Sequence, residues 1–325
     1  MTSRRTFLAG ALALTAAPLG AQRKPDLKRI GMLETVPVAA NTTNLVEFHK
    51  GMQELGHREG KTYIVLYRSA EGRAERFPAL AAELAKQKVD VFLTRGTPAT
   101  IAARDIEAGI PIVASAVADP IEVKLVASLE KPGGNVTGLT SSVNELGAKR
   151  MELLKALAPE ITRVGALTNP DNPASLASWK VIEAAAPALN VKAESIEVRK
   201  PEDLEDSLEA AVNNGVDALI IGLETLATSY QNYIIEFAAK SHVPAAYAAR
   251  NFVDAGGLLS YGVLYPNMYY RAAAYVDKVL KGAKPADLPV ERASKFELVI
   301  NRKTARALKL TIPPDLFLRS DEVID

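Results

Sequence analysis

Short apolar runs alternate with helical hydrophobic patterns along most of this chain, and this rhythm constrains its fold more than any other feature. Runs such as Leu27–Leu33 and Val89–Thr94 have the length of buried strands. Between them, 77–84 carries apolar residues at the i, i+3, i+4 and i+7 spacing of a helix stripe. A further helix is predicted at 121–129. Strands separated by helices in this way predict βαβ units and parallel sheets.

The rhythm restarts after a helix predicted near 145–157, so the chain has two similar halves. Its 325 residues fit two domains better than one. Two sheets, each covered by helices, suit this length better than one large sheet. No Ser/Gly/Pro-rich linker divides the halves, and the predicted joint is 131–138.

Strand and helix patterns continue beyond the second half, which predicts that the chain crosses back between two lobes. Several crossings would form a hinge between lobes that move as rigid bodies. The predicted first lobe comprises 28–138 and 258–285, and the predicted second lobe comprises 139–257 and 286–325.

Residues 1–21 have the pattern of an export signal. Arg4 and Arg5 precede the apolar run 7–19, which ends at the small pair Gly20 and Ala21. The paired arginines resemble the twin-arginine signal, and the run is shorter than the about 20 residues of a membrane span. We expect cleavage after Ala21 and a soluble periplasmic protein; a short uncleaved anchor is the alternative. No cysteine is present to carry a lipid.

The composition weighs against several functional classes. The chain has 39 Lys and Arg against 38 Asp and Glu, without the basic excess of a nucleic-acid binder. The lack of cysteine excludes thiolate catalysis and cysteine-based metal sites. The sequence contains no Gly-x-Ser-x-Gly, Walker or His-Glu-x-x-His motif. We therefore predict a binding protein without catalytic residues, metal or cofactor; an enzyme lacking these motifs is the alternative.

Candidate ligand contacts follow the predicted strands. Ligands of open parallel sheets bind beyond the carboxyl ends of the strands, where helix N-termini favour anions. Both halves carry polar residues there, so we expect a shared cleft, although ordinary helix capping explains the same residue types. The candidate contacts are Thr42, Gly96, Thr97, Asp119, Ser142, Asn169, Glu224 and Tyr247.

These candidates suit a small carboxylate-bearing ligand. Hydroxyl groups and backbone N–H groups of Gly96, Thr97 and Ser142 can hold a carboxylate. Glu224 or Asp119 can accept an ammonium group. An amino acid, aromatic ones included, or a related organic acid has this chemistry.

Tyr247 is the predicted aromatic wall of the cleft. Trp179, the one tryptophan, lies within a predicted helix, where packing explains it. The three histidines, His49, His57 and His242, are expected to be structural or exposed.

Several strings carry a family resemblance. They include Pro-Gly-Gly-Asn-Val-Thr-Gly at 132–138, Gly-Gly-Leu-Leu-Ser-Tyr-Gly at 256–262, and the segments 96–99, 282–291 and 296–301. They resemble the ABC-transporter substrate-binding proteins related to tryptophan-type uptake systems, of the type 1 periplasmic binding fold. The resemblance spans nearly the whole chain after the export signal. It implies two Rossmann-like lobes with parallel sheets, joined by a multi-crossing hinge.

The resemblance also implies a function. Such a receptor closes on a solute and hands it to an ABC permease in the inner membrane, and some members of the family bind aromatic amino acids. We expect a monomer that binds a small molecule and neither nucleic acid nor membrane. The alternative is a sensory module of the same fold that feeds a signalling receptor.

Overall fold

The computed structural model describes residues 27–106, 109–141 and 144–325. The predicted export signal and Ser142 lie outside the described residues. The strands are β1 (Lys28–Glu34), β2 (Tyr63–Ser69), β3 (Val91–Arg95), β4 (Ile112–Val117), β5 (Val136–Thr140), β6 (Arg163–Thr168), β7 (Lys192–Glu197), β8 (Ala218–Ile221), β9 (Ala245–Tyr247), β10 (Leu259–Val263), β11 (Glu291–Arg292), β12 (Phe296–Asn301) and β13 (Glu322–Ile324). The helices are α1 (Thr42–Glu54), α2 (Phe77–Lys86), α3 (Thr97–Arg104), α4 (Asn144–Leu157), α5 (Pro173–Ala185), α6 (Leu204–Asn213), α7 (Thr225–Ser229), α8 (Gln231–Lys240), α9 (Arg250–Asp254), α10 (Tyr265–Leu280), α11 (Arg302–Ala307) and α12 (Pro314–Arg319).

The first lobe is built on a parallel sheet with the strand order β11-β5-β4-β3-β1-β2. Its central strands are apolar on both faces because helices cover both sides. Val91 and Leu93 point toward α1 and α10, whereas Phe92 packs toward α2 and α3. This alternation fixes which face of the sheet each helix covers.

The second lobe has a seven-stranded sheet with the order β13-β12-β10-β9-β8-β6-β7. Its described pairs are parallel except β10 with β12. Ile220 packs with α4 and α5 on one face, and Leu219 and Ile221 pack with α6, α8 and α9 on the other. Two α/β lobes with mostly parallel sheets confirm the predicted fold class.

The chain passes between the lobes three times: from β5 to α4, from β10 to α10, and from β11 to β12. Backbone hydrogen bonds tie these passages together. The Ala293 N–H donates to the Thr140 carbonyl at 2.8 Å, and the Leu264 N–H donates to the Lys295 carbonyl at 3.0 Å. The passages therefore form one connected hinge region.

Two parts of the predicted division differ from the strand pairing. The sequence predicts Leu259–Val263 in the first lobe, but this strand pairs with β9 and β12 in the second sheet. Glu291–Arg292 was assigned to the second lobe, but it pairs with β5 in the first. An apolar run shows that a strand is buried and does not show which sheet it joins. Helix α10, as expected, packs on the first sheet.

The helix predicted at 121–129 is also wrong. The segment forms consecutive turns, in which the Leu125 N–H donates to the Pro120 carbonyl at 2.8 Å. Lys124 adopts a left-handed φ of 55°, which a continuous right-handed helix does not tolerate. The apolar spacing there buries Leu125 and Val126 against the first sheet without a helix.

Gly138 in β5 lies directly against the backbone of the neighbouring strand β4. Its φ is +121°, and a Cβ at this position would lie 2.2 Å from the Ala114 carbonyl oxygen of the neighbouring strand. Only glycine fits such an approach.

Among the described helices, every one is too short or too polar to span a bilayer.

Candidate ligand-binding site

A cavity lies between the lobes, at the carboxyl ends of the strands of both sheets. Its empty space is about 880 Å³, part of it open to solvent. The position is the one that the strand topology predicts for a ligand.

The first lobe contributes strand-end loops to this cavity. Thr35 follows β1, and Gly96 and Thr97 join β3 to α3. The first backbone N–H groups of a helix have no partner within the helix, and they favour an anion. The hydroxyl groups of Thr35 and Thr97 are buried without a hydrogen-bond partner in the described part of the chain. These donors are therefore available to a bound molecule.

Arg95 forms the cavity wall beside the hinge. It is only 8% exposed, and its guanidinium lies 4.8 Å from the centre of the Tyr265 ring. Glu34 is buried behind it and accepts a hydrogen bond from the Tyr269 hydroxyl at 2.5 Å. Burial raises the pKa of Glu34 to about 7, against the opposing influence of the Arg95 charge. The protein itself thus supplies an acidic neighbour for Arg95.

Arg150 on α4 differs from Arg95 because no carboxylate accompanies it. It is 1% exposed, and its Nε donates to the Tyr261 carbonyl at 2.7 Å. Its Nη2 has no hydrogen-bond partner, and no ion pair joins it to any acidic side chain of the described residues. Burial lowers the pKa of Arg150 to about 10. A buried guanidinium without a counter-ion is energetically costly, so an anion from outside the protein would stabilise it.

Glu224 carries the opposite charge and lies on the wall of the same cavity. It follows β8, caps α7 and is 5% exposed. Its carboxylate accepts hydrogen bonds from Asn172 Nδ2, from Asn169 Nδ2 at 3.4 Å and from the Thr225 N–H at 3.1 Å. Burial raises the pKa of Glu224, and these hydrogen bonds oppose the rise. Three donors suit an ionised carboxylate, yet no cationic side chain of the described residues pairs with it.

The cavity continues into the second lobe as a slot, on the sheet face that α4 and α5 cover. We define the slot by Ala166 of β6, Ile220 of β8, and Ser178, Trp179 and Ile182 of α5. Ala166, Ile182 and Ile220 belong to the apolar cluster of that face. The slot therefore offers mainly apolar surface, in contrast to the charged groups beside it.

The structure places three of the predicted contacts, Gly96, Thr97 and Glu224, on the cavity wall. Asn169 is buried one layer behind, where it hydrogen-bonds to Glu224. Ser142 lies outside the described residues.

Three other predicted contacts do not line the cavity. Thr42 is exposed at the start of α1, where its hydroxyl donates to the Ala39 carbonyl at 2.9 Å. Asp119 is exposed and accepts a hydrogen bond from the Glu122 N–H at 3.3 Å, which is a local capping contact. Tyr247 is 1% exposed in the second-lobe core and stacks on Phe252 with ring centres 5.0 Å apart. Its position at a strand end was read correctly, but its side chain points to the core.

The predicted contacts do not include several cavity residues, which are Thr35, Arg95, Arg150, Asn172 and Tyr265. Arg150 had a detectable signal, since it occupies the apolar stripe of α4 between Leu146 and Leu154, where a charge is unexpected. Trp179, expected to pack within its helix, is half-buried and lines the cavity as well. In the described ranges, no group of three or more His, Asp or Glu side chains is placed to hold a metal ion.

Comparison with known proteins gives consistent relatives. A tyrosine-binding protein of Clostridioides difficile (strain R20291) is 27% identical over 298 residues, which cover 91% of this chain and 86% of that protein. A crystal structure of an ABC domain in complex with L-Trp from Streptococcus pneumonia has a TM-score of 0.84 and 26% identity, covering 92% of this chain and all of the other.

A conserved domain protein from Vibrio cholerae O1 biovar El Tor has a TM-score of 0.84 at 27% identity, over 92% of this chain and all of that one. The fold is that of the type 1 periplasmic binding proteins. The family described as "ABC transporter substrate binding protein" matches residues 29–324. This chain therefore belongs to the ABC transporter substrate-binding protein family.

Proposed function

We propose that this protein captures a zwitterionic amino acid with an aromatic side chain and delivers it to an ABC permease for import. The single observation that carries the proposal is the pair of opposite buried charges on one cavity, Arg150 and Glu224. Neither has a partner of opposite charge among the described residues. A zwitterion supplies both missing partners at once.

The carboxylate of the ligand binds Arg150, and the free donors of Thr97 and the first turn of α3 lie on the same cavity. The ammonium group binds Glu224. Ionised hydrogen-bond partners are roughly twice as strong as neutral ones, and a buried charge left unpaired is costly. A deaminated acid leaves Glu224 without a cation, and a decarboxylated amine leaves Arg150 without an anion. Both analogues are therefore expected to bind poorly.

The aromatic part of the proposal has two supports. Apolar slot walls and the flat indole of Trp179 suit a ring, which gains offset or edge contacts with another aromatic group. Two relatives are described as a tyrosine-binding protein and as an L-Trp complex.

Hinge closure couples binding to transport in this proposal. The ligand touches donors of the first lobe and both charges of the second, so it makes its full set of contacts only when the lobes are closed. A ligand shifts such an equilibrium by its difference in affinity for the two states. The export pattern of residues 1–21 supports a periplasmic location, and the family supports a permease as partner.

A ligand panel tests the proposal. Trp179 is the only tryptophan and lies on the cavity wall, so its fluorescence should change on binding. We expect L-phenylalanine and L-tyrosine to alter this fluorescence and to raise the melting temperature. A ligand at about 100 times its Kd adds roughly 2.7 kcal/mol to the free energy of unfolding. The matching 3-arylpropionates and arylethylamines serve as controls, and stabilisation by sugars alone would contradict the proposal.

A further inference from the structure

The two lobes contribute unequally to the cavity. The first lobe offers mainly residues at or beyond the ends of its strands, such as Thr35 and Ala118, with Ala116 one residue before the end of β4. The second lobe also offers Ala166, two residues before the end of β6, and a face of α5. The cavity therefore extends further into the second lobe, where it reaches the face of α5, than into the first.

The α5 face explains how the slot forms. Ala174, Ser178 and Ile182 follow one another at four-residue spacing, which places them on one side of the helix. Two of these three side chains are small, so the helix surface recedes from the sheet at this point. Opposite them on β6, the side chain of Ala166 is only a methyl group. Small residues on both walls leave a flat gap.

The packing of α4 against α5 keeps that gap narrow. A Cβ on Gly147 of α4 would lie 2.8 Å from Ile182 Cγ1 and 3.2 Å from the Ser178 hydroxyl oxygen. The two helices are thus already in close contact beside the slot, and α5 has little freedom to move toward α4. A larger side chain on the slot wall therefore cannot be accommodated by moving α5 toward α4, and it takes volume from the gap.

We infer that the slot receives the side chain of the bound amino acid, and that Ala166 and Ser178 determine the largest side chain it accepts. This inference rests on the proposed function and assigns its specificity to these residues. Apolar walls favour a flat ring over a flexible charged chain. The Arg150 guanidinium at the edge of the cavity adds repulsion against lysine and arginine as ligands.

The test compares a large and a small ligand on slot variants. Ala166→Leu and Ser178→Val should lower the affinity for L-phenylalanine by roughly 30-fold or more, because overfilled cores reject added volume. The same variants should change the weak affinity for L-alanine less than about threefold, because its methyl group does not reach into the slot. Calorimetric titration of both ligands gives the two affinities directly.

Ala184→Leu is the matched control, because Ala184 is exposed on another side of α5. It should leave both affinities unchanged, and circular dichroism should show all variants folded. If the folded slot variants lose both ligands equally, or keep full affinity for phenylalanine, the slot does not hold the side chain. If the wild-type protein binds no amino acid, the proposed function falls and this inference falls with it.

Discussion

Arg73 of the first lobe and Glu202 of the second form an ion pair across the cleft. The guanidinium hydrogen-bonds to the carboxylate, which raises the pKa of Arg73 and lowers the pKa of Glu202. The Ser229 hydroxyl also crosses the cleft and donates to the Thr35 carbonyl at 3.1 Å. Direct contacts therefore join the two lobes in this structure, independently of any contact with a ligand.

Breaking this pair should favour the open protein. We expect Arg73→Ala to weaken ligand binding by roughly two- to fivefold, the range for exposed ion pairs. X-ray scattering of the unliganded variant should show a larger radius of gyration. The double variant Arg73→Glu with Glu202→Arg should recover part of the affinity.

Arg76→Ala is the matched control, because Arg76 pairs with Glu71 at 3.2 Å within the first lobe. It should leave affinity and scattering unchanged. Equal effects of the Arg73 and Arg76 variants would mean that the contact across the cleft does not govern closure.

Glu224→Gln should change which ligands bind. The variant keeps the size of the side chain and removes the charge that meets the ammonium group. Loss of one partner of a buried charge pair costs about 2–5 kcal/mol, so affinity for the amino acid should fall roughly 30-fold or more. Affinity for the deaminated 3-arylpropionate should stay the same or rise. Parallel calorimetry on Glu83→Gln, an exposed site on the first lobe, controls for the substitution itself.

Arg150→Met separates binding from stability. Among the described residues this guanidinium has a hydrogen bond to the Tyr261 carbonyl and no counter-ion, and apolar replacements of buried ionic groups are often neutral or stabilising. We expect the melting temperature of the unliganded variant to be unchanged or higher, while amino-acid binding is lost. A lower melting temperature with binding retained would assign Arg150 a purely structural role. Differential scanning fluorimetry with and without ligand distinguishes the two.

Glu34 should make stability depend on pH. Burial raises the pKa of Glu34 to about 7 in the folded protein, whereas a glutamate in an unfolded chain has a pKa of about 4.3. Between these two pH values the Glu34 carboxyl group is therefore protonated in the folded protein and ionised in the unfolded chain. Stability from this group is therefore full below about pH 4.3 and is lost as pH rises through 7, with a change on the order of 3 kcal/mol. Urea titrations of wild type and Glu34→Gln between pH 5 and 8 should show a smaller loss of stability in the variant, which keeps only the contribution of other buried carboxyl groups such as Glu224. Identical slopes would contradict the assignment.

The fold was predictable because its signals are local. Alternating apolar runs such as Val91–Arg95 identify buried strands wherever they pair. The pairing of Leu259–Val263 with β9 and β12 is a long-range property, which its own apolar pattern does not determine. The helix prediction for 121–129 is wrong for a local reason, because the apolar spacing of the segment does not indicate that Lys124 adopts a left-handed φ.

A residue of the cavity was predictable from the sequence only where the end of a strand alone determines its position. Gly96, Thr97 and Glu224 follow strands and reach the cavity. Tyr247 also ends a strand, but successive side chains alternate between faces, and its face is the core. Arg150 comes from the middle of a helix, which a search restricted to loops does not include.

Gly138→Ala should destabilise the first lobe strongly. The new Cβ would lie 2.2 Å from the Ala114 carbonyl oxygen on a backbone with φ of +121°, so the strands must separate or the peptide must rotate. We expect a loss of roughly 3 kcal/mol or more in the free energy of unfolding, measured by urea denaturation. Gly134→Ala is the control from the same glycine-rich string, because nothing lies within 4 Å of its Cβ and its φ is not left-handed. That variant should stay within about 0.5 kcal/mol of wild type. A tolerated Gly138→Ala would mean that β4 and β5 can part at this point without cost.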